Sequence, residues 1–156
     1  MPGPESTVRK KWQRARGSKL GRWLFSRAVG RFAPYTDTIG ARIEELEPGR
    51  SVVTMRDRKA VRNHLESVHA AALANLTELT GSLAVIASMQ PNTRMIPVKL
   101  ETDYVKKARG VVTAEGSSEI PEPGFEGEFH GNVVIRDAAG DEVAHGRVTV
   151  VIGQRD

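Results

Sequence analysis

Three side chains in the middle of the chain, Asn63, His69 and Glu78, have types suited to acid–base or nucleophilic chemistry. Glu78 is the only charged side chain between Ala70 and Thr93. A carboxylate in such an apolar stretch is costly unless another group neutralises it or a reaction uses it. Each residue also has a structural interpretation: Asn63 is an ordinary turn former, the ring of His69 can bond backbone at a helix start, and Glu78 can pair with a basic residue, Arg94 or Lys99.

The segment around His69 is predicted to be the start of the one long helix, over residues 68 to 89. The backbone N–H groups of Ala70 and Ala71 should then be unpaired within the helix and lie at its positive end. Such an end can hold a developing oxyanion. The small alanine side chains let a ligand approach the backbone closely.

The spacing between His69 and Glu78 argues against a site within one subunit. The two residues are nine positions apart, which corresponds to roughly 13 Å along a helix. Glu78 therefore cannot act on a group held at the start of its own helix. A shared site requires a second, antiparallel copy of the helix, and so predicts a two-fold dimer.

The remaining elements predict an α+β architecture. Residues 39 to 56 contain two strand-like runs around Pro48-Gly49, which suits a type II turn in a hairpin. After the helix come four strand-like runs, with a hairpin turn over residues 137 to 141. In the first run, Ile96, Val98, Leu100 and Thr102 should share one face. One helix that is apolar almost all round must be enclosed, and a single curved antiparallel sheet can wrap it.

Residues 1 to 33 form a basic helical arm before a domain spanning residues 34 to 156. Residues 1 to 31 hold all nine of the arm's Lys and Arg side chains and a single acid, Glu5. One helical face should carry the apolar residues, which are Trp12, Leu20, Trp23, Leu24, Ala28 and Phe32. That face either packs on the domain or, with the basic residues from 8 to 31, contacts an anionic membrane or nucleic acid.

Composition and spacing exclude several classes of site. The chain has no cysteine, which removes disulfides, thiolate zinc sites and a cysteine nucleophile. His64 and His69 are five apart and do not share a helical face, so we predict no metal site. The Lys- and Arg-rich N-terminus does not read as a secretory signal, and we expect a cytoplasmic protein.

The motif Asn63, His69, Glu78 on this element order resembles the hot-dog-fold acyl-CoA thioesterases of the phenylacetate-pathway type. The stretch from Phe32 to Gly81 looks like a less characterised, thioesterase-like branch of that superfamily. The resemblance implies a curved antiparallel sheet around one central helix, paired into homodimers with continuous sheets and often into homotetramers.

The same resemblance implies roles for individual residues. The acyl-CoA would lie between subunits, its carbonyl polarised by the amide after His69, with no cofactor beyond the CoA of the substrate. Glu78 of the partner subunit would attack directly or activate water, and Asn63 would help to position it. Ala70 and Ala71 stand where the family usually has two glycines. Pro97 stands near where related sites have a hydroxyl, for which Thr93 would substitute. The rival interpretation is an acyl-CoA-binding protein without turnover.

Overall fold

The computed structural model describes residues 6–155, so residues 1–5 of the predicted arm and residue 156 lie outside it. The helices are α1 (Thr7–Ala15), α2 (Lys19–Phe32), α3 (Pro34–Asp37) and α4 (Ala70–Ile86), with a short 3₁₀ turn at Lys59–Val61. The strands are β1 (Arg42–Glu47), β2 (Arg50–Met55), β3 (Thr93–Tyr104), β4 (Val112–Ser117), β5 (Gly127–Arg136) and β6 (Glu142–Gln154).

The six strands form one antiparallel sheet in the order β1-β2-β4-β5-β6-β3. Helix α4 contacts all six strands, and its buried face joins the hydrophobic core. Both predicted hairpin turns are present: Gly49 has φ +72 between β1 and β2, and Asp137 N–H donates to the Asp141 carbonyl. The predicted sheet-around-helix fold is confirmed.

Glycines let α4 lie unusually close to the sheet. A Cβ on Gly131 of β5 would overlap the carbonyl oxygen of Gly81 in α4, and one on Gly116 of β4 would lie 2.6 Å from the Thr80 carbonyl oxygen. A Cβ on Gly146 of β6 would come within 2.8 Å of the Thr77 side chain. The helix therefore meets β4 and β5 backbone to backbone and meets β6 through the Thr77 side chain, which leaves no room for the helix to slide.

The predicted face of β3 is wrong, because a bulge interrupts the alternation. Pro97 pairs with Val150 and Lys99 with Thr149, so Val98 is an extra residue. Before the bulge, Ile96 lies opposite exposed Val151, whereas after it Leu100 lies opposite fully buried Val148. Ile96 and Leu100 therefore occupy opposite faces. Proline lacks the N–H that a regular ladder needs, and bulges are a common place for it.

The predicted apolar face of the arm is also wrong, except at Trp12. Ser18 caps a new helix by accepting from the Gly21 N–H at 2.9 Å, so the arm is two helices with different orientations. Trp12 and Phe25 are buried and stack edge to face at 5.2 Å, in the same core cluster as Ile43 of β1. Leu20, Trp23, Leu24, Ala28 and Phe32 are exposed. No helix in residues 6–155 is long and apolar enough to cross a membrane.

The backbone contact between α4 and β5 generates a stability prediction. Replacing Gly131→Ala should lower the free energy of unfolding by about 2 kcal/mol, because the new methyl group must push backbone rather than a flexible side chain. Urea denaturation followed by circular dichroism measures the difference. Gly17→Ala is the control, since a Cβ there meets nothing within 4 Å. Equal stability of the Gly131→Ala variant and the wild type would contradict this account of the packing.

Candidate functional site

The start of α4 is held by the ring of His69. His69 is the N-cap residue, and its Nδ1 accepts from the Ala71 N–H at 2.9 Å. The His69 carbonyl accepts from Ala72 at 2.9 Å and Leu73 at 3.1 Å. Among residues 6–155, nothing accepts from the Ala70 N–H. The Ala71 N–H has no partner in the helix itself, but the imidazole caps it, as the structural interpretation of His69 predicts, and Ala70 supplies the free donor at this helix end.

Two clefts flank this helix start. One, of about 310 Å³, is lined by Asn63, Ala70 and Tyr104 among others. The other, of about 260 Å³, lies on the other side and is lined by Tyr35, His69, Ala71 and further residues. The Tyr104 hydroxyl donates to the Ala70 carbonyl at 3.0 Å, and burial raises the pKa of this hydroxyl. This hydrogen bond ties the edge strand β3 to the helix start.

Asn63 uses its carbonyl oxygen to shape the loop before α4. Its Oδ1 accepts from the Leu65 N–H at 2.9 Å, the Ser67 N–H at 3.2 Å and the Ser67 hydroxyl at 3.1 Å. The acceptor side of the amide is thus saturated by the protein. Only the Nδ2 group, a donor, remains for another molecule in the 310 Å³ cleft.

Asp57 anchors the loop that presents Asn63 and His69. Its carboxylate accepts from Arg62 at 2.6 Å and from the Gly110 N–H at 2.9 Å. The hydrogen bond from Arg62, then the Gly110 amide, holds the pKa of Asp57 below its ordinary value. Two further backbone contacts fix the loop on its other side. The His69 N–H donates to the Val61 carbonyl at 2.8 Å, and Arg62 and Val68 form an isolated antiparallel β-bridge.

Glu78 stands apart from this helix start in the isolated chain. It is half-buried on a ridge of α4 with Ala71 and Ala74, and it makes no hydrogen bond or ion pair within residues 6–155. Lys99, one predicted structural partner, instead pairs with Glu101 at 3.0 Å. Glu78 lines neither cleft beside the helix start. One chain therefore does not bring Glu78 together with Asn63 and His69.

Two polar residues next to Glu78 were missed by the sequence reasoning. Asn75 lies three positions before it and Ser82 four positions after it, so both share its side of α4. Asn75 is 6% exposed and Ser82 9% exposed, yet the Asn75 Oδ1 and the Ser82 hydroxyl have no hydrogen-bond partner among the described residues. Their spacing from the lone carboxylate, three residues before it and four after it, is the sequence signal that could have identified them.

Thr93 does not join the other predicted site residues within the chain. Its hydroxyl donates to the Gln90 carbonyl at 2.6 Å. It lines a small cavity with Met89 and Phe125, beyond the far end of α4. A substrate-binding role for Thr93 stays a prediction.

No metal-binding arrangement is evident in the part of the chain that the structure describes. Within residues 6–155, no group of three or more His, Cys, Asp or Glu side chains is placed to hold an ion. The free donors here, the Ala70 N–H and the Asn63 Nδ2, are instead suited to an oxygen that carries negative charge.

The Asp57 anchor predicts a pH-dependent stability. Asp57→Asn should cost about 1 kcal/mol at pH 7, because it removes a charge-assisted hydrogen bond to a half-exposed arginine. The pKa is lowered on folding, so the contribution is complete above the unfolded pKa of about 4 and is lost as pH falls through the folded value. Urea denaturation at pH 7 and at about pH 3 measures it, with Glu119→Gln as the control, since the exposed Glu119 side chain makes no hydrogen bond or ion pair within residues 6–155. A difference that is as large at the lower pH would contradict the electrostatic origin.

The sequence matches the family model "Domain of unknown function (DUF4442)" over residues 21–152. None of the curated proteins is significantly similar in sequence. Among solved structures, a structural genomics target superimposes with a TM-score of 0.80 at 30% identity, covering 94% of this chain and 98% of its own.

Two other solved structures carry an activity in their names. The thioesterase HI1161 from Haemophilus influenzae superimposes with a TM-score of 0.71 at 14% identity, covering 82% of this chain and 90% of its own. PA5026 from Pseudomonas aeruginosa, described as a probable thioesterase, gives 0.71 at 23% identity, with 88% and 95% covered. At these identities the likeness establishes the fold. The chain belongs to the DUF4442 family, and its fold is the hot-dog fold of these thioesterase neighbours.

Proposed function

We propose that the protein hydrolyses an acyl-CoA or a related acyl thioester at the interface between two copies of the chain. The observation that carries this proposal is the unpaired Ala70 N–H at the start of α4, in a cleft that also contains Asn63. An amide at the positive end of a 17-residue helix can stabilise the oxyanion that forms when a thioester carbonyl is attacked. The names of the solved neighbours support the same reaction class.

Strand β3 supports self-association, because it is a long edge strand with uncovered apolar side chains. It has 12 residues and, among residues 6–155, pairs only with β6. After the bulge, Leu100 and Tyr104 lie on the face of the sheet that α4 packs against, yet they are 41% and 50% exposed. On the opposite face Ile96 is 56% exposed. A second β3, paired edge to edge, would continue the sheet and bring the partner's helix over these side chains.

The reaction needs a base that a single chain does not supply at the helix start. In the pair, Glu78 of the partner subunit takes a proton from water as the water oxygen attacks the thioester carbonyl carbon. Ala70 N–H donates to the resulting oxyanion. The carbon–sulfur bond then breaks, and the thiolate leaves and takes up the proton, giving an acid and a free thiol. Direct attack by the Glu78 carboxylate, followed by hydrolysis of the anhydride, is the alternative route to the same products.

The neighbouring polar residues have complementary parts in this scheme. Asn63 can only donate, because its oxygen is saturated, so its Nδ2 binds the attacking water or the partner's carboxylate. His69 has an indirect part. Its ring accepts a hydrogen bond from the Ala71 N–H, which leaves the Ala70 N–H as the donor available at the helix start.

A second candidate function is acyl-CoA binding without turnover. The specific observation in its favour is the pair of methyl groups on Ala70 and Ala71, both exposed at the helix start, which narrow the approach to the backbone amide. Tight binding of an acyl-CoA without release of free CoA would support this function over hydrolysis.

Glu78→Gln should lower kcat for acyl-CoA hydrolysis by at least about a hundredfold, since glutamine cannot accept the proton. A panel of acyl-CoA substrates with a thiol reagent measures release of CoA. Glu119→Gln, an exposed carboxylate far from the clefts, is the matched control. The folded state should be unaffected, because Glu78 makes no hydrogen bond or ion pair in residues 6–155. Equal rates for wild type and Glu78→Gln would remove Glu78 from the mechanism.

Mixing two inactive variants tests whether the site is shared. Asn63→Asp keeps the oxygen that shapes the loop and loses the Nδ2 donor. If Glu78 and Asn63 act across the interface, exchange of Asn63→Asp with Glu78→Gln subunits restores one intact site per mixed dimer, or about a quarter of wild-type activity. Each variant alone should stay inactive. No recovery after demonstrated subunit exchange would show that both residues act within one subunit.

A further inference from the structure

Helix α2 carries an exposed surface that neither the core nor the proposed dimer uses. Leu20, Leu24, Arg27 and Arg31 follow one another at i, i+4, i+7 and i+11, which is one line along a helix. We call these four residues, with Trp23 beside them, the arm surface. Its apolar members are exposed, Leu20 at 64%, Leu24 at 53% and Trp23 at 49%. We propose that the arm surface docks the protein on an anionic lipid bilayer.

The charge of the arm is of one sign. Residues 6 to 36 contain the nine Lys and Arg side chains counted above and no Asp or Glu. Three of the nine form ion pairs: Arg16 with Glu47 of β1, Arg22 with Glu44 of β1, and Arg27 with Asp37 of α3. Five others are exposed and make no ion pair or side-chain hydrogen bond within the described range: Lys10, Lys11, Arg14, Lys19 and Arg31. Their field is left for an external anion.

The apolar side chains decide which anionic partner fits. A bilayer interface takes up leucine side chains, accommodates tryptophan at headgroup level, and lets arginine extend towards phosphate. Nucleic acid satisfies the charges but leaves Leu20 and Leu24 against a phosphate backbone. A second copy of the same surface would bring like charges together. The combination of exposed Leu, Trp and Arg therefore favours a lipid surface.

The position of the arm in the fold keeps this surface available. Helix α2 packs beside β1, and β1 and β3 are the two opposite edges of the sheet. A dimer formed through β3 leaves both arm surfaces at the distal ends. Burial of Trp12 and Phe25 fixes the arm on the domain, so the surface is preformed. The arm surface contains none of the residues of the proposed reaction, so docking does not depend on thioester hydrolysis.

Vesicle co-sedimentation of the full chain tests the proposal. With phosphatidylglycerol and phosphatidylcholine at about 3:7, the wild type should partition to vesicles at low salt, and pure phosphatidylcholine should retain at least about tenfold less. Lys19→Gln with Arg31→Gln should weaken partition by about twenty-five-fold, since each removed charge is expected to cost about fivefold. Lys59→Gln with Arg155→Gln removes the same charge from exposed sites elsewhere and should have little effect.

The apolar contribution has its own matched pair. Leu20→Ser should weaken partition by at least about fivefold, whereas Ile120→Ser, which changes a side chain of similar exposure (61%), should not. Exposed Trp23 should show a blue-shifted emission on binding, and Trp23→Phe should abolish that shift while buried Trp12 still reports folding.

Several results would overturn the proposal. These are no partition to the anionic vesicles at low salt, equal loss in the matched controls, or duplex DNA binding that depends on the same arm residues without vesicle binding. A change of oligomeric state in Leu20→Ser would also overturn it, because the surface would then lie between copies. Vesicle binding by a protein without hydrolytic activity would contradict only the proposed function.

Discussion

The contact on which this structure depends is the backbone-to-backbone packing of α4 against the centre of the sheet. Gly131 and Gly81 have no side chains, so the strand and the helix carbonyl meet directly. At Gly116 and Gly146 the sheet admits the Thr80 carbonyl and the Thr77 side chain in the same way. Because these contacts occur on three strands, the helix is fixed in both position and rotation. The positions of Ala70 and Glu78 follow from that fixed axis.

A fixed helix also explains why Glu78 and the helix start do not meet within one chain. One face of α4 packs on the sheet, and the helix start is held by hydrogen bonds in the loop from Asp57 to His69. Glu78 then lies eight residues beyond Ala70, roughly 12 Å along the axis, and no adjustment within the chain shortens that distance. In the proposed dimer, the exposed edge strand β3 is the route by which a second helix approaches. The proposed dimer interface and the arm would then use opposite edges of the sheet.

The features that could be predicted from sequence are those with a local signal. Hydrophobic periodicity located α4, and turn residues at Pro48-Gly49 and near Gly140 located two hairpins. The errors have equally local causes. Ser18 starts a second helix and rotates the arm, so the face predicted from continuous periodicity is mostly exposed. The bulge at Val98 reverses the alternation of β3.

The hydrogen bonds made by the His69 and Asn63 side chains could not be predicted from the sequence, for a different reason. The capping of Ala71 depends on the rotamer of His69, and the saturation of the Asn63 oxygen depends on the fold of a five-residue loop. The spacing of residues along the sequence determines neither this rotamer nor the conformation of this loop. The residue types at the candidate site were therefore predictable, whereas which atom of each residue remains free was not.

The hydroxyl groups of α4 show where the isolated chain is incomplete. Thr77 and Thr80, on the sheet side, donate to the carbonyls of Leu73 and Leu76 one turn earlier. Ser82, on the side of Glu78, makes no such bond, and Asn75 nearby leaves its oxygen unpaired although both side chains are buried. Buried polar atoms without partners cost about 1–3 kcal/mol each. Both atoms are shielded from solvent in the isolated chain, so they can gain a hydrogen bond only if side chains around α4 rearrange when a second copy or a ligand binds.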